Sequence, residues 1–179
     1  FHDRYMEDTS IKERLDKAAE LAHLGVRGIE AHYPVEVNEG NLHLYKQLES
    51  ETGIRLVSVG PHIFYDRAYE FGSLSNPYES ARTKAYQTVV ETLKLVQQSE
   101  AHLCVVWPGI DGYTYPMGHQ YYHMWDRFEE ALAAAMDEVP GVRVAIEPKP
   151  YEPIPNNIYR TTADAILMAR NVEDRLRSA

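Results

Sequence analysis

The chain has a single cysteine, Cys104, so no disulfide can form within it. Flanked by Leu103 and Val105, that thiol reads as a buried free side chain rather than a nucleophile or a metal ligand. Positive charge is also scarce. Eighteen Lys and Arg stand against 27 Asp and Glu, for a net charge of -9 and a pI near 5.3. Such a surface repels phosphate backbones and anionic headgroups, which argues against nucleic acid as a partner. No apolar run approaches the ~20 residues of a membrane span, and no signal peptide is expected, so no membrane partner is expected either. A Gly-x-Gly-x-x-Gly turn and a Walker lysine loop are both missing, which speaks against nucleotide binding. These absences together lead to the expectation of a protein in a reducing cytoplasm.

What is present is an ordinary globular composition, 44% hydrophobic and 25% charged, enough in 179 residues for one core. Residues 1–8 read as a loop or the tail of a lost strand. Ser10-Ile11-Lys12-Glu13 is a capping box. Ile11, Leu15, Ala18, Ala19 and Ala22 follow at helical spacing, and Gly25 stops the helix. Val26 to His32 predicts a strand closed by Pro34, and Leu42, Leu44, Tyr45 and Leu48 predict a helix ending at Gly53. Ile54 to Val59 predicts a second strand, stopped by Gly60-Pro61. Residues 61–76 are a long aromatic loop, of the kind that carries function in a compact domain. Asn76-Pro77 reads as an N-cap and first-turn proline for a helix with Ala81, Ala85, Val89, Leu93 and Val96 on its apolar face.

A third strand spans His102 to Trp107, closed by Pro108-Gly109, and residues 110–120 form a loop. A helix from about Tyr121 to Glu138 turns at Pro140-Gly141 into a fourth strand. Residues 154–159 are a loop, and Thr161 to Asp164 caps a last helix reaching about Leu176. His119, Tyr121, Tyr122 and His123 look like a cluster but read as loop surface. Alternating βα units imply a parallel sheet with right-handed crossovers. Both a doubly wound sheet and part of a (β/α)8 barrel satisfy that order. The barrel is favoured, because His32, the 60–64 segment, Trp107, Glu147 and Lys149 all fall at C-terminal strand ends and would converge on one mouth.

The fourth strand, Val142 to Glu147, is the centre of the reading. Side chains alternate faces along a strand, so Glu147 and Lys149 project to the same side and Val144 and Ile146 to the other. Pro148 and Pro150 have no backbone N–H and end the ladder. A carboxylate and an ammonium are thus expected together at the exit of a buried strand.

Ile146-Glu147-Pro148-Lys149-Pro150-Tyr151-Glu152-Pro153 resembles the Ile-Glu-Pro-Lys-Pro-x-Glu-Pro segment of xylose isomerases. The resemblance extends in register. Val106 to Gly112 is similar to that family's Trp-Gly-Gly-Arg-Glu-Gly, and Gly72 to Asn76 to its Gly-rich Phe-Thr-Ser-Asn stretch. Gly28-Ile29-Glu30-Ala31-His32 matches its Gly-x-x-x-His strand. The family implies a parallel (β/α)8 TIM barrel of ~250 residues. This chain would then be a single, incomplete barrel over residues 1–179, running from about the second strand to the fifth helix, as part of a longer protein.

The family also implies a divalent-metal aldose–ketose isomerase acting on a monosaccharide, with Mg, Mn or Co as cofactor and a homo-oligomeric assembly. By that resemblance Glu147 is a metal ligand and Glu152 lies near the metal. Lys149 contacts the substrate carbonyl, and His32 helps open the sugar ring. Trp107 walls the substrate, with His62 and Phe64 as candidate substrate contacts. Further metal ligands are expected on later strands. The family's histidine is followed by acids, one of which orients it; here Tyr33, Pro34 and Val35 follow, leaving Glu36 or Glu30 for that task. The competing readings are an epimerase, dehydratase or apurinic endonuclease on the same barrel, and a non-catalytic sugar-binding fragment.

Overall fold

Local signals account for most element boundaries. The computed structural model describes residues 10–114 and 121–177, so the expected loop at 1–8 and His119 of the aromatic cluster lie outside the described residues. Helix α1 (Ile11–Glu20) starts at Ser10, whose hydroxyl accepts from the Glu13 N–H while the Glu13 carboxylate accepts from Ser10. A short 3-10 turn follows, and Gly25 ends it at φ 93°, a left-handed conformation that costs glycine least. Strand β1 (Gly28–Tyr33) leads to helix α2 (Leu42–Thr52), which Gly53 closes in the same way. Strand β2 (Arg55–Pro61), helix α3 (Glu79–Ser99) and strand β3 (Leu103–Val106) come next. A two-residue strand β4 (Gly112–Tyr113) precedes helix α4 (Tyr121–Glu138). Strand β5 (Val144–Ile146), a two-residue strand β6 (Asn156–Asn157) and helix α5 (Thr162–Arg175) complete the order.

Strands β1, β2, β3 and β5 form one parallel sheet in that order. The helices cover its outer face. Val59, Cys104 and Val106 meet Val89, Leu93, Phe128 and Leu132 there, all inaccessible to solvent. Burying such side chains contributes roughly 1.5–3 kcal/mol each. Consecutive parallel strands joined by helices on one face are the geometry of a (β/α)8 barrel, so all strand C-termini point to one rim.

Five expectations are corrected. Strand β2 is not stopped by Gly60-Pro61 but runs through them, Gly60 pairing with His32 and Pro61 with Tyr33. Helix α3 begins at Glu79 with Tyr78 at the N-cap, three residues beyond Asn76. The Asn76 side chain is used in the turn before it, accepting from the Tyr78 N–H at 2.9 Å and donating to the Gly72 carbonyl at 2.6 Å. The 61–76 segment is not all loop, because Asp66 caps a 3-10 turn over Arg67–Tyr69. The loops at 110–120 and 154–159 contain β4 and β6, which pair antiparallel; two residues carry too little pattern to mark a strand. Finally, β5 is at the edge of the described sheet rather than buried, with Ala145 exposed. Its outward pair, Val144 and Ile146, still packs on the core.

Candidate active site at the strand C-termini

Glu147 and Lys149 follow the end of β5 at Ile146, and both turn to the inner side. Glu147 is held by its N–H to the Val106 carbonyl (3.0 Å), and Lys149 by its N–H to the Tyr159 carbonyl (3.2 Å). Both line a cavity of about 540 Å3 at the strand exits. The same cavity takes in His32, His62, Phe64, Trp107 and Glu152, so all seven candidate residues meet there.

Lys149 Nζ stands 4.9 Å from the centre of the Trp107 ring and 3.7 Å from Glu152 Oε2. The tryptophan face and the acid together hold the ammonium at the mouth. Glu152 is more than half exposed, so its pull is weak. Trp107 packs edge-on to Phe64, ring centres 4.6 Å apart, and Phe64 lies 4.3 Å from His62 and 5.4 Å from His32. These rings form one continuous aromatic wall.

His32 answers the question of its partner. The chain turns back after Tyr33-Pro34, and the Glu36 N–H donates to the His32 carbonyl at 2.8 Å. That turn brings Glu36 Oε2 to 2.8 Å from both the His32 N–H and its Nδ1. Glu30 is occupied elsewhere, accepting from the Ser58 hydroxyl at 2.6 Å. An ionised carboxylate only accepts, so Nδ1 carries the proton and Nε2 is the ring nitrogen left for a ligand. The Glu36 hydrogen bond holds the His32 pKa above its ordinary value, and His32 in turn lowers that of Glu36. His62 is shifted the other way, lowered first by burial and then by the charge of His32.

Gly60 makes room for this histidine. A Cβ there would stand 3.2 Å from both His32 Cδ2 and the Val105 carbonyl. Sequence reasoning passed over two residues at the cavity. Arg14 reaches in from α1, its Nη1 3.6 Å from Glu36 Oε1. Tyr65 sits at the rim, exposed, at φ 53° and edge-on to Phe64. Neither has a local pattern that distinguishes it from a surface residue.

Glu147 is the acid at the cavity whose carboxylate neither accepts a hydrogen bond from, nor pairs with a cation among, the described residues. Glu30, Glu36 and Glu152 each have a partner. Its open oxygens suit a hard divalent cation, which needs six or more oxygen ligands. No group of three or more His, Cys, Asp or Glu among the described residues is arranged to hold such an ion. Glu147 can therefore supply one part of a ligand set. Among the described residues no helix is long and apolar enough to cross a membrane.

The model of the family described as "Xylose isomerase-like TIM barrel" matches residues 18–177. A xylose isomerase of Thermus thermophilus is 31% identical over 93% of this chain and 46% of its own length. The chain thus spans about half the length of the curated relatives it matches. Among solved structures, a D-psicose 3-epimerase crystallised with D-fructose superposes with a TM-score of 0.68 at 18% identity, over 92% of this chain and 55% of that one. A xylose isomerase-like TIM barrel protein of Mycobacterium smegmatis in complex with magnesium gives 0.58 at 14% identity, over 93% and 55%. At these identities the structural likeness shows the fold, including that this chain covers part of a barrel.

Proposed function

Because this chain belongs to the xylose isomerase-like TIM barrel family, we propose that the protein containing it is a divalent-metal-dependent aldose–ketose isomerase acting on a monosaccharide. The observation that carries this reading is the group at the exit of β5. Glu147, a carboxylate without a hydrogen-bond or ion-pair partner among the described residues, and the Lys149 ammonium line one cavity, and the ammonium is poised over Trp107 at 4.9 Å. A xylose isomerase relative at 31% identity and a sugar-epimerase fold support the substrate class.

In this reading Glu147 holds the cation, with Glu152 close by. A divalent cation held there, Mg, Mn or Co, would supply Lewis acidity toward the sugar. Lys149 donates to the carbonyl oxygen and stabilises the negative charge that builds there. His32 acts at the start of the cycle. Its Nε2 takes the proton of the anomeric hydroxyl and passes it to the ring oxygen as the C1–O bond of the sugar ring breaks, while Glu36 fixes the imidazole and offsets the charge it carries in between. Trp107, Phe64 and His62 exclude water from the reacting carbons, which favours a hydride shift over exchange with solvent protons.

The test uses the full-length protein with Mn2+ and a panel of aldoses, following ketose formation. Glu147→Gln and Lys149→Met should each lower kcat by ~100-fold or more. Unchanged turnover in both variants removes the assignment. Deuterium from solvent appearing at the substrate carbon would replace the hydride shift with the proton transfer of an epimerase.

A further inference from the structure

Two stretches that resemble the family only weakly when taken alone, Gly72 to Asn76 and Val106 to Gly112, meet in the structure. Asp111, in the second stretch, has no solvent access and lies against Ser73 and Ser75 of the first, which are equally buried. Its Oδ1 accepts from the Ser73 N–H (2.8 Å), the Ser75 N–H (2.9 Å) and the Ser75 hydroxyl (2.6 Å). Its Oδ2 accepts from the Ser73 hydroxyl. No Lys or Arg among the described residues pairs with it. A carboxylate so placed is held by hydrogen bonds alone, and each one lost would leave a buried polar atom unpaired.

The backbone of Asp111 closes its own loop and ties in one more. Its N–H donates to the Pro108 carbonyl (2.8 Å), and its carbonyl accepts from the Ile158 N–H (3.0 Å). One residue thus joins the loops that follow β2, β3 and β5. These loops carry Phe64, Trp107 and Lys149. The links onward are short. Asp111 is four residues from Trp107, and the adjoining Tyr159 carbonyl accepts the Lys149 N–H. Gly109, between Trp107 and Asp111, lies against Phe64 so closely that a Cβ would be 3.0 Å from the Phe64 Cβ.

The surroundings leave no slack. A Cβ on Gly72, which has φ 104°, would stand 2.8 Å from Ser75 Oγ and 2.9 Å from Asp111 Oδ1. One on Gly112 would stand 2.0 Å from the Asn156 carbonyl oxygen. Residues held by a single over-determined junction move together, and a site tolerates displacements of only ~0.5 Å before rate is lost.

We infer that Asp111 is a positioning residue, a hydrogen-bonding clamp that sets the aromatic wall and the Lys149 backbone by joining three strand-exit loops. It acts through Phe64, Trp107 and Lys149 and touches no substrate. The effect on turnover rests on the isomerase reading above; the effect on the wall does not.

The experiment therefore has a readout apart from activity. Full-length protein is labelled with 5-fluorotryptophan, and the Trp107 fluorine resonance is assigned with Trp107→Phe. Three variants are compared: Asp111→Ala, Asp111→Asn, and Arg175→Met, which disturbs a buried acid between α4 and α5. An asparagine can keep the three Oδ1 bonds and donate to the Ser73 hydroxyl in place of the fourth. The expected result is that Asp111→Ala moves the Trp107 resonance and lowers kcat/KM by ~10-fold or more, and that Asp111→Asn restores both to within ~3-fold of the parent. Arg175→Met should leave the Trp107 resonance in place. If Asp111→Ala does not fold, Ser75→Ala should move the same resonance by a smaller amount. The inference is overturned if the resonance stays put in the Asp111 and Ser75 variants, or if Asp111→Asn is as damaging as Asp111→Ala. A moved resonance in a protein that converts no aldose keeps the clamp and discards the isomerase.

Discussion

Glu36 Oε2 lies 2.8 Å from His32 Nδ1 and 2.8 Å from the His32 backbone N–H, so one oxygen fixes both the ring and the strand end that bears it. Arg14 braces the other oxygen at 3.6 Å. This pair gives the cavity its pH response. His32 is raised above 6.5, so its contribution to stability is complete below that value and is lost as pH rises through the higher folded pKa. Glu36 is lowered below 4.5, so its contribution is complete above that value and is lost as pH falls through the lower folded pKa. The pair therefore stabilises most between the two ordinary values. Glu36→Gln should lower the His32 pKa, because the hydrogen bond that raises it is lost, read by NMR titration of the ring. An unmoved titration curve would show that Glu36 does not set it.

Gly60→Ala tests the space behind that histidine. The added methyl would press on His32 Cδ2 and on the Val105 carbonyl, each at 3.2 Å. Since backbone cannot yield and a side chain can, His32 should shift. We expect a stability loss of about 1–2 kcal/mol by chemical denaturation, with a larger proportional loss in kcat/KM.

The buried acid Glu129 gives an asymmetric prediction away from the cavity. It is almost inaccessible and accepts from Arg175 Nη2 at 2.8 Å and Asn171 Nδ2 at 2.7 Å, while Arg175 is one-third exposed and also reaches Asp126. Arg175→Met leaves a buried charge without its cation and should cost about 3 kcal/mol. Glu129→Gln leaves an arginine that still has water and Asp126, and should cost about 1 kcal/mol. Equal losses in denaturant melts would contradict the argument.

Cys104 faces the helices with no solvent access, and burial pushes its thiol up to about 12. A thiol that is neither exposed nor ionised does not attack. Native protein should leave it unlabelled by iodoacetamide, with mass-spectrometric labelling of its peptide appearing only on unfolding.

Much of this architecture was legible because its signals are local. Ser10 with Glu13 and Thr161 with Asp164 form capping boxes as the residue spacing requires. Gly25 and Gly53 end their helical segments in the left-handed region. The two-residue period was enough to bring Glu147 and Lys149 to one cavity, although β5 itself ends at Ile146. The misplaced boundary at Asn76 was also local, but there two good uses for one side chain competed and the turn won. Strands β4 and β6 were invisible because a two-residue pairing between segments 43 or more residues apart leaves no periodicity in either.

The sequence by itself determined the order of βα units and the strand ends that carry His32, Trp107, Glu147 and Lys149, because periodicity, caps and prolines act within a few residues of where they are written, and the family resemblance added Glu152. Only the tertiary structure decided which acid serves His32, that Lys149 stands over Trp107, and that Asp111 knots three loops together. Those are contacts between elements, and their partners are chosen by the twist and stacking of the sheet rather than by any spacing along the chain.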